Sequence, residues 1–141
     1  MRSRWALPLV LMASACSGTV RVDPPTPSPE AAAACERLAA ALPTTLDGAA
    51  REPSEPASPY VAVWGGIALR CGVPRPVSMS PTDQVSDVNG VGWYPDPKRP
   101  ALFTAIDLDA YVEVTVPGDH PAGGVLVQLA DPIKKTLTQT R

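Results

Sequence analysis

The sequence predicts an α+β fold: an N-terminal helix and a C-terminal helical segment packed on a small, mostly antiparallel sheet, stapled by one disulfide. Three observations lead there. An alanine-rich run carries Cys35, Leu38 and Leu42 at i, i+3 and i+7, which is helical spacing. Val112, Val114 and Val116 alternate with Tyr111, Glu113 and Thr115, which is strand spacing. Cys71 shares a strand side with Ile67 and Leu69, so it faces a core that the helix also faces.

The helix has local signals at both ends. Ser28 can cap it, Pro29 suits its first position, and Glu30 favours the positive N-terminal dipole end. Pro43 stops it, because the residue before a proline avoids helical backbone. Residues 51–59 show no periodicity and read as a Pro/Ser/Glu loop. Residues 60–71 are strand-like and broken at Gly65-Gly66, and 72–82 form a loop stiffened by Pro74, Pro76 and Pro81. Asn89-Gly90 is a hairpin dipeptide, with a strand expected over 91–94, a turn over 95–100 and a strand over 101–106. Leu126, Leu129, Ile133 and Leu137 have helical spacing, although Val125, Val127 and Leu129 also alternate. A helix from about Ala122, kinked or restarted at Asp131-Pro132, is the reading adopted.

At 141 residues the chain holds one domain, and 45% apolar residues suffice for a core. With one Phe, three Trp and three Tyr, that core must rest on aliphatic side chains. Net charge is −2, and loss of Arg2 and Arg4 with a leader leaves ten basic against fourteen acidic residues. The basic residues are scattered, so no stripe exists to neutralise phosphates and nucleic acid is not expected as a partner.

Residues 1–15 read as a signal peptide, with Arg2 and Arg4 before a short apolar run and the small residues Ala13-Ser14-Ala15 at its end. The run is too short to span a bilayer, which takes about 20 residues. Followed by Cys16, these small residues resemble the lipobox of bacterial lipoproteins, in which the cysteine is acylated and becomes the new N-terminus. That resemblance implies lipidation at Cys16 and a membrane anchor on the extracytoplasmic face. The alternative is an ordinary secretory leader with a free thiol left behind. Residues 16–29 are then a lipidated cysteine and proline-rich tether, and 30–141 the domain. Thirteen tether residues in polyproline II conformation would reach roughly 40 Å, as a spacer. With Cys16 acylated, Cys35 and Cys71 are left to pair. Two unpaired buried thiols are the other possibility.

Cys35-x-x-Leu38 before Leu42-Pro43, Trp64-Gly65 before Leu69-Arg70-Cys71-Gly72-Val73-Pro74-Arg75-Pro76, Val88-Asn89-Gly90-Val91 before Trp93, and the run from Tyr111 to Pro117 together resemble the domain of unknown function 3515 family. Its members are small exported proteins or lipoproteins of high-GC Gram-positive bacteria. The resemblance spans roughly residues 30–137 and implies compartment and fold, but no activity.

Catalytic signals are thin. His120 is the single histidine, in a Gly/Asp/Pro loop, and is expected at the surface without a role. There is no Gly-x-Ser-x-Gly elbow and no phosphate-cradling glycine loop. One histidine and no free thiol do not suit zinc, and no metal or cofactor is expected. Asp107 and Asp109 read as a polar turn, since two carboxylates fall short of the six to eight oxygens that calcium takes. A binding surface is the better candidate. Trp64, Trp93 and Tyr94 could present ring faces to a sugar or a protein, and Arg70 and Arg75 could hold a carboxylate or phosphate. The competing reading makes Trp64 and Trp93 core residues and Arg70 a solvated strand residue. The expected function is binding or scaffolding of another envelope component, a protein or a cell-wall glycan. The alternative is a small hydrolase acting on envelope material, and a solute carrier ranks third because the domain is small for one.

Overall fold

The computed structural model describes residues 8–9 and 19–140. Two helices pack on one face of an antiparallel sheet, as the α+β reading expects. Helix α1, Pro29–Ala41, begins where the local chemistry says it should. The Ser28 hydroxyl accepts from the Ala31 N–H, Pro29 occupies the first turn, and Ala34, Cys35 and Leu38 are buried.

The sheet begins with β2 (Thr45–Leu46) and β3 (Ala49–Glu52), then β5 (Val61–Trp64) and β6 (Ile67–Val73). Beyond them come β7 (Ser86–Val88), β8 (Val91–Pro95), β9 (Leu102–Ala105) and β10 (Tyr111–Thr115). Their spatial order is β2-β3-β5-β6-β10-β9-β8-β7, so the sheet has eight strands and is wider than expected. Three of its hairpins close with two residues at positive φ: Asp47-Gly48, Gly65-Gly66 and Asn89-Gly90. Each is a dipeptide that favours the type I′ turn, whose twist matches that of the flanking strands. Strands β2 and β3 fall in and beside the segment expected to be loop. They are short, and of their six residues only Leu46 is buried, so they carry no apolar alternation, and the Asp47-Gly48 turn brings them together.

The C-terminal segment is one helix, α2 (Ala122–Thr136), continuing through Pro132 without a restart. Pro132 removes a single ladder bond near the helix end. Burial of Val125, Leu126, Leu129, Ala130 and Ile133 on the apolar stripe favours continuation. Lys134 and Lys135 in the last turn suit the negative end of the dipole. Helix α1 lies over β6 and α2 over β7 and β8, and the two helices touch each other. Val112, Val114 and Val116 join them in one core with Trp64, Trp93 and Ile67.

The opposite face of the sheet is covered by irregular chain. Strands β1 (Val20–Arg21) and β4 (Ser54–Glu55) pair in parallel, and β4 packs against β5, whose outward Val61 and Val63 are buried. From Val20 onward the proline-rich segment is therefore docked on the domain and is not a free spacer. The Val22 N–H donates to the Glu55 carbonyl (3.1 Å), and the Asp23 carbonyl accepts from Arg70 Nε (3.0 Å). Extended backbone leaves every peptide group unpaired internally, so those groups are available to a neighbouring strand and to a guanidinium. Farther across, the loop after β6 lies over buried Tyr94, whose hydroxyl is 3.1 Å from Ser78 Oγ. Among the described residues, no helix is long and apolar enough to cross a membrane.

Cys35 and Cys71 form the disulfide between α1 and β6, with Cα atoms 5.6 Å apart and positions 36 residues apart in sequence. A crosslink closing a loop of this length stabilises the fold by about 4 kcal/mol in the chain-entropy model. The C35S/C71S double variant is therefore expected to lose about 4 kcal/mol in a urea titration, with a reductant producing a comparable loss in the unmodified chain.

Candidate functional site

The aromatic residues singled out from the sequence do not form a surface. Trp64 and Trp93 are fully buried and Tyr94 is 4% exposed. The Trp64 indole N–H donates to the Pro43 carbonyl (2.9 Å), and the Arg51 guanidinium covers its ring at 5.2 Å from the centroid. A core with one phenylalanine is filled by these rings, so neither glycine neighbour leaves a face open. Arg70 is likewise engaged: besides the Asp23 carbonyl it meets Glu113 Oε1 at 3.0 Å, across the β6–β10 pair. Arg70 thus holds the docked N-terminal segment, with Nε and Nη1 both engaged within the fold. Cys16 lies outside the described residues.

His120 is buried more than its sequence context suggests, with 13% of its side chain exposed. Nδ1 lies 2.6 Å from Asp47 Oδ2, and Nε2 lies 3.0 Å from the Gly65 carbonyl. Asp47 is held in turn by its own N–H, which donates to Gln128 Oε1 on α2 (3.0 Å). The imidazole therefore ties two hairpin turns to the start of α2. Its partners stand 73 and 55 residues away in sequence, which is why a local reading leaves it as an idle surface residue. Both ring nitrogens face acceptors, an arrangement met best by a protonated ring donating twice. The Asp47 carboxylate raises its pKa above the ordinary 6.5, with the Gly65 carbonyl contributing. With both nitrogens engaged inside the fold, the ring clasps the two turns together.

Arg75 is the residue of the expected set that the fold leaves free. Its placement begins at Gly72, where the β6–β10 register shifts: Tyr111 opposes Val73 and Val112 opposes Cys71. Gly72 has φ +88°, and an added Cβ would come within 2.5 Å of Pro27 Cβ, so only glycine fits. The strand ends one residue after the bulge, at Val73, and Pro74 and Pro76 restrict the backbone on either side of Arg75. Its side chain is exposed, and no hydrogen bond or ion pair engages it among the described residues.

Two hollows meet at Arg75 and Tyr111. One, of about 260 Å³, is shared with Met79, Ser80 and Asp107, and the other, of about 350 Å³, with Thr26, Ser28 and Asp109. A third, about 210 Å³, continues past Asp107 and Leu108 to Gly90. Together they make a shallow groove around the β9–β10 loop. That loop is held from behind: Asp109 Oδ1 accepts from the Thr138 N–H, and Arg37 reaches Asp109 Oδ2 at 3.4 Å. The groove combines one free cation with carboxylate, hydroxyl and phenol groups, a set suited to reversible polar binding. Among the described residues, no group of three or more His, Cys, Asp or Glu side chains is placed to hold a metal ion.

Two predictions separate structural from surface roles. Trp64→Ala should cost about 3–5 kcal/mol in denaturant unfolding, the cost of emptying a core site, whereas an exposed ring would cost little. A histidine whose folded pKa is raised stabilises fully below its unfolded value and loses that contribution as pH rises through the folded one. The melting temperature should therefore fall as pH rises above about 6.5. The H120Q variant should lack that part of the slope in the same thermal melts.

The chain has no match among curated proteins or solved structures. The family described as "Protein of unknown function (DUF3515)" matches residues 7–141, nearly the whole sequence. The chain, with its helix stapled to its open sheet by a disulfide and the bulge that precedes Arg75, belongs to that family.

Proposed function

We propose that this protein is exported, held by acyl chains on Cys16 at the extracytoplasmic face of the membrane, and binds another envelope component through the Arg75 groove. The leader and the small residues before Cys16 support the address, and a disulfide between helix and sheet accords with an oxidising compartment. The observation that carries the binding reading is Arg75 itself. The backbone of an exposed arginine is braced by two prolines and follows a glycine bulge at the meeting of two hollows, with the guanidinium donors unspent. A guanidinium can engage a carboxylate or phosphate with two parallel hydrogen bonds. The fully exposed Val77, two residues on, adds apolar area beside it.

In-cell crosslinking and recovery of the protein tests this reading, run beside an Arg75→Ala variant whose melting temperature is unchanged. A specific envelope protein or glycan fragment recovered with the native chain and lost with Arg75→Ala is the expected result. Equal recovery by both would move the binding face elsewhere. Recovery of nothing by correctly exported protein would favour the hydrolase reading.

A further inference from the structure

The docked N-terminal segment sets how far the domain can stand from its anchor. Three residues, Ser17, Gly18 and Thr19, separate Cys16 from Val20, where pairing with β4 begins. Four Cα steps span at most about 14 Å. Beyond Val20 the chain is held against the domain at regular intervals. Val22 bonds the Glu55 carbonyl, the Asp23 carbonyl receives Arg70, Pro27 packs on Gly72, and Ser28 caps α1. The composition of residues 17–29 describes a spacer of roughly 40 Å, but most of that length is consumed in covering the sheet.

We infer that this docked strap seats the domain directly on the outer leaflet with the β1–β4 ribbon toward the lipid, and carries the Arg75 groove away from it. The inference rests on the proposed acylation of Cys16. Six residues of extended strap, from Val20 to Thr26 at the rim of the groove, cover roughly 19 Å at about 3.1 Å each. The groove is thereby offered to a partner in the envelope space, while the ribbon corner is confined near the headgroups. The strap acts as a fixed arm whose length and direction the fold sets. Arg70 is the side chain that pins its middle, on a guanidinium shared with Glu113.

The full-length lipoprotein, reconstituted in phosphatidylcholine/phosphatidylglycerol vesicles that carry a headgroup-level quencher, reads this directly. Fluorophores are placed in turn at Arg21→Cys on the ribbon and Val77→Cys beside the groove, with the native disulfide kept oxidised. A ten-residue Gly/Ser insert between Thr19 and Val20 adds about 17 Å of flexible chain without touching the strap. Intact mass of the same preparation reports acylation of Cys16. The expected result is an acylated chain, an Arg21 probe quenched several-fold more than the Val77 probe, and loss of most of that quenching in the insert variant. Equal and weak quenching of both probes on an acylated chain overturns the seating alone. Strong quenching that the insert leaves unchanged shows that another surface holds the domain down, and overturns the role of the strap. Absence of acyl mass removes the anchor reading and this inference together.

Discussion

At Gly72 the N-terminal strap approaches more closely than any side chain would permit. Pro27 packs where a Cβ would sit, the Cys35 sulfur lies 3.4 Å from the same point, and the β6–β10 register shifts there. The adjacent Cys71 is half of the disulfide that joins helix to sheet. One crowded, left-handed residue thus lets the strap pass and brings α1 against β6. Strap path and helix position meet there, because Pro27 fills the space of a side chain at Gly72 and the neighbouring Cys71 holds α1.

The two sheet faces are covered by different means. On the helical face, aliphatic residues from both helices and the strands enclose two tryptophans, and hydrophobic burial carries the stability. On the other face, proline-rich chain supplies the cover. A segment that cannot form a helix or a central strand can still lie across a sheet, with its carbonyls and N–H groups free to bond what they cross. Arg70 accommodates both requirements, balancing the Glu113 carboxylate while donating to a strap carbonyl. The abundance of proline, 18 residues in 141, has a structural use here that flexible linkers do not require.

At the opposite end from Arg75 along the β5–β6 hairpin, His120 draws two turns and a helix start together. The two sites contrast in how their charges are used. His120 spends both ring nitrogens within the fold, one on Asp47 and one on the Gly65 carbonyl. Arg75 is held by backbone geometry alone, so its hydrogen-bonding capacity remains available outside. That difference in satisfaction, more than pocket size, distinguishes a structural cluster from a binding one.

Much of the fold is legible along the chain because its determinants are local. Ser28, Pro29 and Pro43 bound α1 within a few residues of its ends, and alternation at Val112, Val114 and Val116 identifies β10 and its buried side. The side parity of Cys71 with Ile67 and Leu69 suffices to orient it toward Cys35. The short strands β2, β3 and β4 escape such reading because Leu46 is the single buried residue among them and they pair through backbone groups, although Asp47-Gly48 marks the β2–β3 turn as plainly as Asn89-Gly90 marks another. The site divides in the same way. A proline on each side of Arg75 shows a stiffened cation in the sequence. By contrast, the burial of Trp64 and Trp93, the bonds of His120 and the docking of residues 20–28 depend on partners tens of residues away. Periodicity and capping are properties of neighbours in sequence, so the sequence by itself determined the helices, the central strands and the disulfide's orientation. Which polar groups are spent and which stay free was decided only when distant segments met, because hydrogen-bond satisfaction is a property of neighbours in space.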